Sequence, residues 1–411
     1  MGLKTLFLNS NRTIHPENNP EKIPTNHLHA LAFCQQLVQY VTKEKGKRMP
    51  KIRLSGRVVG TDDPNRAARA RLLHLLFAKG WDIYNSNGDQ QITLANIEKK
   101  IVECDAFVFT PGATLEDMFK AISIFVGFQT RDRNLTGKPT VILNEDESWN
   151  PFFAVLAHLH RLGTVQQDYR QYLLTANSPD AVIQTLELAA AKGIPDAGRH
   201  RTSEGKIPDR EEPIPDDYIG SACVFCSASL EEPSYLQDGE ALGKMLAENK
   251  IGCISGAGRS GIMGAVVKGS VSAGGWTAGS NVPHIIELEG LPDGLSRFWL
   301  RPDIYTRMEV MIENSDAFVI FPGGAGTVQE LLALMIFRHQ KHPIMDGKPV
   351  VIFNRLNHAG LQFWDPLIDL LSDMCNPGDF VVARELEDIL TAIQPGMHKH
   401  RVRASEFIQA T

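Results

Sequence analysis

The stretch Asp316–Leu331, DAFVIFPGGAGTVQEL, constrains the fold of this chain more than any other. Ala317 to Phe321 is an unbroken apolar run of the length that fills the middle of a parallel sheet, where both faces are covered. Pro322, Gly323, Gly324 and Gly326 end it abruptly. Val328, Leu331, Leu332 and Met335 then recur at helical spacing, so a helix is expected to open at Thr327 with that residue as its cap. Glycines between a strand and a helix let backbone N–H groups approach a ligand with no Cβ in the way. The helix start adds partial positive charge, which makes a phosphate the natural guest. Glu330 is awkward beside such a cradle. It either closes a capping box with Thr327 or acts on whatever binds there.

A second glycine loop lies upstream. Strand Ile251–Ser255 leads into GAGRSG, Gly256–Gly261, and a helix expected over Ile262–Ala273. The spacing is formally that of a dinucleotide loop. However, it follows the second strand of its region rather than the first, and Trp276 and Asn281 stand where an acidic residue would hold a ribose hydroxyl. The loop is therefore read as half of a mononucleotide site, with Gly258 and Met263 near the ligand. In an open parallel sheet it can share one nucleotide with the PGGAGT turn, because loops after neighbouring strands converge at the carboxyl edge.

These residues resemble the LOG ("lonely guy") family of nucleoside-monophosphate phosphoribohydrolases, often mislabelled lysine decarboxylases. PGGAGTVQE matches the family's PGGxGTxxE signature, and Arg307, in TRMEVMIENSDAFVIFPGG, falls where the family carries its catalytic arginine. SGAGRSGIMGAVVKGSVSAGG is similar to its earlier glycine loop, and VFCSAS, Val224–Ser229, to its first strand. The resemblance spans about Ser221 to Asp388. Two departures stand out: Met308 replaces a usual lysine, and Ser227–Ala228 replaces a usual Gly-Ser. What the resemblance implies is hydrolysis of the N-glycosidic bond of a nucleoside 5'-monophosphate. Arg307 and Glu330 would be catalytic, and Gly323, Gly324, Ala325, Gly326, Thr327, Gly258, Met263 and Ser227 would hold the nucleotide, with no metal and no cofactor. It also implies self-association, at least as a dimer. A non-catalytic nucleotide carrier or sensor on the same fold is the competing expectation; the carboxylate beside the phosphate site speaks against it.

The chain is long enough, at 411 residues, for two domains. A net charge of −6 gives no electrostatic footprint for a nucleic-acid partner. No apolar run reaches 18 residues, and the opening MGLKTLFLNSNRT is too short in apolar residues for a signal core, so no membrane partner and a cytoplasmic location are expected. Six cysteines form no framework. Cys223 and Cys226 make a CxxC within an expected strand, where a buried reading is preferred to a redox one. His339 and His342, three apart, are read as charges complementing a helix end rather than metal ligands. Asp62, Asp63 and Asn65 are read as a turn and cap.

Ile97–Pro111, IEKKIVECDAFVFTP, echoes Met308–Pro322, MEVMIENSDAFVIFP, with Asp105 and Asp316, and Pro111 and Pro322, both 211 positions apart. GKPTVILNEDESWNPF is echoed by GKPVVIFNRLNHAGLQFWDP. Two tandem α/β Rossmann-like domains, doubly wound on parallel sheets, explain the pattern. The organisation expected is an accessory segment over 1–50 with a basic linker at its end, a degenerate domain over 51–195, a Pro/Gly/charge-rich linker over 196–216, a catalytic domain over 217–395 and a tail over 396–411. TPGATLEDMF in the first copy is read as lacking two residues of the turn FPGGAGTVQEL. That gap sets Glu330 opposite Glu116 or Asp117, and Arg307 opposite Asn96. A copy without the arginine should not catalyse the same reaction, so the first half is expected to be a scaffold.

Overall fold

The computed structural model describes residues 51–55, 66–85, 94, 101–132, 134–135, 137–194, 211–356 and 360–409. The helix expected over 27–42, the basic linker, the Asp62–Asp63 turn, Asn96 and residues 196–210 of the expected interdomain linker lie outside them.

Two all-parallel sheets are built. The first contains β1 (Lys51–Ser55), β2 (Asp82–Asn85), β3 (Ala106–Phe109), β4 (Thr140–Leu143) and β5 (Leu173–Ala176), in the order β2-β1-β3-β4-β5. Its helices are α1 (Arg66–Ala78), α2 (Leu115–Gln129), α3 (Asn150–Arg161) and α4 (Pro179–Lys192). The second contains β6 (Gly220–Phe225), β7 (Ile251–Ser255), β8 (Thr277–Asn281), β9 (Arg297–Leu300), β10 (Ala317–Ile320), β11 (Val350–Phe353) and β12 (Val381–Ala383), in the order β12-β11-β10-β6-β7-β8-β9. Its helices are α5 (Pro233–Glu248), α6 (Gly261–Ser272), α7 (Pro283–Glu289), α8 (Ile304–Glu313), α9 (Ala325–His339), α10 (Asp365–Met374) and α11 (Leu386–Gln409). Strands β3, β4, β6, β7, β10 and β11 are buried at every residue, which is why they read as continuous apolar runs. Among the described residues no helix is long and apolar enough to cross a membrane.

Removing β8 and β9 from the second sheet leaves the strand order of the first. The likeness extends to loop chemistry. After β4, Asn144 accepts the Trp149 N–H on Oδ1 at 3.0 Å while its own N–H donates to Ala176 at 2.8 Å. After β11, Asn354 accepts from Trp364 at 2.8 Å and donates to Ala383 at 2.9 Å. Each tryptophan is fully buried and precedes a helix with proline in its first turn. Lys138 and Lys348 both reach carbonyls just ahead of the strand before theirs, Ile101 ahead of β3 and Ile312 ahead of β10, at 3.0 and 2.9 Å.

The helix starts correct the expected alignment of the two turns. Helix α9 begins at Ala325, with Gly324 as its cap in extended conformation, so Thr327 lies inside the first turn rather than capping it. Helix α2 begins at Leu115, with Thr114 as its cap. Both helices have 15 residues, and each is followed by a residue with positive φ, Arg131 and Lys341. The first turn therefore has one residue more than the second before its helix, not two fewer. The position equivalent to Glu330 is Lys120.

Helices α2 and α9 pack on each other between the sheets, as do α3 and α10. Both α2 and α9 are buried on nearly every face, and both sequences, LEDMFKAISIFVGFQ and AGTVQELLALMIFRH, are largely apolar all round. Gln329 Nε2 donates to Ser123 Oγ across this contact at 2.9 Å, and Gln340 Nε2 to Glu116 Oε1 at 3.1 Å.

Candidate active site

In the second sheet the chain order reverses between neighbouring strands β6 and β10: one side continues through β7, the other through β11. Loops leaving the carboxyl ends of these two strands diverge and open a crevice, the usual ligand position in such sheets. The loop after β6 carries Ser227, whose Oγ accepts the Ser229 and Leu230 N–H groups at 3.1 and 3.0 Å. The Ser227 N–H donates to Pro322 and its carbonyl accepts from Met263, so one residue ties the PGGAGT turn to the start of α6.

Helix α8 is capped by Asp303, whose Oδ1 accepts from Tyr305 and Thr306 at 2.9 and 2.8 Å. One turn further, Arg307 points into the sheet edge. Its Nε donates to the Ser280 carbonyl at the end of β8 (2.8 Å), Nη2 to the Gly256 carbonyl after β7 (3.3 Å), and Nη1 to Glu330 Oε1 on α9 (3.4 Å). Arg307 is 6% and Glu330 5% exposed, so this is a buried pair and not the surface contact with Glu309 or Glu313 that a helix sequence would suggest. Glu330 closes no capping box. Burial pushes its carboxyl up to about 7, against the opposing pull of Arg307 and with a further push from Glu289. With two of its nitrogens committed to backbone carbonyls, Arg307 orients Glu330 and is not left with a free fork for a substrate carboxylate or phosphate.

No side chain caps α9 and no acidic residue lies in its first turn. Its leading amides, from Ala325 to Thr327, therefore have no partner within the helix, and these three residues line a cleft beside Glu330. Ser227, Met263, Gly324, Ala325, Gly326, Thr327, Arg307 and Glu330, expected at the site, all line this cleft. Gly258 and Gly323 do not; they shape it from behind. The Gly258 N–H points at Met263 Sδ at 2.9 Å, and a Cβ on Gly323 would stand 2.1 Å from Thr327 Oγ1. A Cβ on Gly256 would stand 2.1 Å from Arg307 Nη2, so glycine there is a condition of the arginine's position. Met308 is wholly buried in the core and does not line the cleft. Cys223 and Cys226 are buried with their thiols pushed well up by burial, the reverse of a redox pair. His342 accepts the Ile344 N–H on Nδ1 and caps a short 3-10 turn.

A family model described as "possible lysine decarboxylase" matches residues 263–399. The cytokinin riboside 5'-monophosphate phosphoribohydrolase of Mycobacterium marinum is 27% identical over 185 residues, 43% of this chain and 94% of that protein. The cytokinin riboside 5'-monophosphate phosphoribohydrolase LOG7 of Arabidopsis thaliana is 32% identical over 150 residues, 36% of this chain and 68% of that protein. The chain belongs to the LOG family. Among solved structures, the molybdenum cofactor carrier protein of Chlamydomonas reinhardtii is 21% identical and covers 42% of this chain and 94% of its own, with a TM-score of 0.32.

The LOG-family model covers only the second sheet's half, and the first half departs where chemistry would need it. At its turn, the Gly112 N–H donates to Asp146 Oδ2 (2.8 Å) and to Ser148 Oγ (3.0 Å), and the Ala113 N–H donates to Ser148 Oγ (3.1 Å). Thr114 and Asp117 close a full capping box on α2. The Gly112, Ala113, Thr114 and Asp117 amides of this turn are satisfied by the chain's own oxygens, and Lys120 stands in place of the carboxylate.

Sequence reasoning missed two sets of residues that shape this LOG-family cleft. Glu289, on α7, raises the Glu330 carboxyl, and Gln129, Thr130 and Thr164 of the first half line the cleft. The only sequence signal for the second set is the all-round apolar character of α2, which says that the helix is covered without saying by what.

Proposed function

We propose that this chain hydrolyses the N-glycosidic bond of a nucleoside 5'-monophosphate, giving free base and ribose 5-phosphate. The observation that carries the reading is the buried Arg307–Glu330 pair opening onto the uncapped start of α9. The 5'-phosphate is held by the leading amides of α9, with Gly324 admitting it to the backbone and the Thr327 hydroxyl beside it. The C1'–N bond breaks with its electron pair going to the base, and positive charge builds on the sugar. The Glu330 carboxylate stabilises that charge and takes a proton from the water whose oxygen bonds to C1', while the base leaves after taking a proton from solvent. Ser227 and Met263 close the cleft around the sugar.

The relatives named above act, by their names, on cytokinin riboside 5'-monophosphates, and that supports the bond class proposed here. The test is a screen of the purified protein against the common nucleoside 5'-monophosphates, with free base separated and quantified, alongside Arg307→Ala and Glu330→Gln. Base release lost in both variants supports the reading. Tight nucleotide binding with no base released from any monophosphate overturns it in favour of a carrier or sensor.

A further inference from the structure

We propose that the nucleotide site is a joint product of both halves of the chain, in which Gln129 of the first half is a substrate-positioning residue and the first half itself binds no nucleotide. This rests on the reading of the second half as a nucleoside-monophosphate site.

The two halves meet through equivalent elements, α2 on α9 and α3 on α10. That is the pattern of an isologous contact between two copies, here made within one polypeptide. Such an arrangement gives two corresponding clefts, each walled by the other half. At the working cleft the wall is the C-terminal end of α2, with Gln129 and Thr130, and the loop after α3, with Thr164. The wall is close: a Cβ on Gly324, the cap of α9, would stand 3.0 Å from the Thr164 carbonyl oxygen.

The three wall side chains differ in what they have left to offer. Thr130 Oγ1 donates to Val126 at 3.0 Å and Thr164 Oγ1 to Leu159 at 3.1 Å, so both hydroxyl protons are spent on their own helices. Gln129 is 3% exposed, and its Nε2 donates to Gln167 Oε1 at 2.9 Å. One end of its carboxamide is thus fixed by a neighbour in the same half. Whichever way the amide is turned, its other heteroatom remains for the cleft, held in one place on a buried helix. A pre-oriented amide facing a phosphate site is suited to one hydrogen bond with a sugar hydroxyl or a base edge.

At the other cleft the same elements are consumed internally. The position of Gly326 is taken by Glu116, whose carboxylate accepts from Gln340, the counterpart of Thr130. The position of Thr327 is taken by Asp117, whose carboxylate accepts the Thr114 N–H to complete the capping box, and Asp146 and Ser148 take the Gly112 and Ala113 amides. Three carboxylates where a phosphate would lie repel one.

The test is calorimetric titration of the full chain carrying Glu330→Gln with the four common ribonucleoside 5'-monophosphates, followed by kinetics of Gln129→Met and Gln167→Leu in the otherwise native chain. One nucleotide per chain is expected. Gln129→Met, which keeps length and packing, should raise KM and Kd roughly 3- to 10-fold, with kcat within about twofold and an unchanged melting temperature. Gln167→Leu should shift KM in the same direction by less. Two nucleotides per chain overturn the closed first cleft. Base release with KM and Kd unmoved in Gln129→Met overturns the positioning role alone. Binding weakened by Gln129→Met in a chain that releases no base supports the joint site while the hydrolytic reading falls. Failure of all four nucleotides to bind overturns both.

Discussion

Moving from pH 8 to pH 6 should cost this protein about tenfold in kcat through Glu330 alone. With a carboxyl at about 7, the ionised fraction is about 90% at pH 8, half at pH 7 and about 10% at pH 6. An ordinary carboxyl near 4.5 would lose only a few per cent over the same range. The displacement corresponds to on the order of 3 kcal/mol of preference for the protonated form, set by burial and only partly offset by Arg307. The assay is kcat at saturating monophosphate from pH 5 to 9. The phosphate of the substrate also titrates near pH 6, so a second variant separates the two. Glu289 raises the Glu330 carboxyl, and Glu289→Gln should move the acid limb to lower pH, whereas a substrate titration would stay where it was. An acid limb at or below pH 5, or one that Glu289→Gln leaves in place, would falsify the assignment of the base to Glu330.

Glu330→Gln should be inactive yet more stable at high pH. The folded carboxyl is raised above its unfolded value, so its ionisation costs nothing below about pH 4.5 and destabilises the fold as pH rises through about 7. The melting-temperature advantage of the variant should grow from pH 5 to pH 8, by roughly 2 kcal/mol or more in stability; a constant difference would contradict the burial term. Arg307→Lys should lower kcat on the order of a hundredfold, because one ammonium cannot serve the Ser280 and Gly256 carbonyls and Glu330 together; retention of activity within a few fold would make the arginine dispensable. Gly243→Ala places a Cβ 2.0 Å from the Val266 carbonyl oxygen where α5 crosses α6, and should cost about 1–3 kcal/mol, read by thermal unfolding. An unchanged melting temperature there would mean that the two helices can part without penalty.

Local chemistry made much of the site legible. The apolar runs of β7 and β10, the glycines after them and the convergence of their loops follow from parallel-sheet rules, and those rules bring Arg307, Glu330 and the start of α9 together as expected. The helix start was set three residues late because Gly324 carries no side-chain capping signal while Thr327 does. The same bias aligned Thr114, a true cap, with Thr327, which is not one, and so hid the pairing of Lys120 with Glu330. Burial of the Arg307–Glu330 pair was not legible either, since a helix sequence with Glu309 and Glu313 nearby offers exposed partners that the fold does not use. The wall from Gln129 and Thr164 depends on how two distant halves dock, and no window of sequence contains both sides of it.

The all-round burial of α9 has a practical consequence for anyone seeking a minimal catalytic fragment. A chain starting near residue 211 keeps Arg307, Glu330 and every strand of the seven-stranded sheet, yet it strips α2 from α9 and bares a large oily surface at the mouth of the cleft. Such a fragment is expected to be sticky in solution, to pair with itself or with any greasy surface on offer, and to regain good behaviour when the missing half is supplied in trans. The first half is then expected to be an obligatory companion to the second, carried on the same polypeptide so that it can never be lost by dilution.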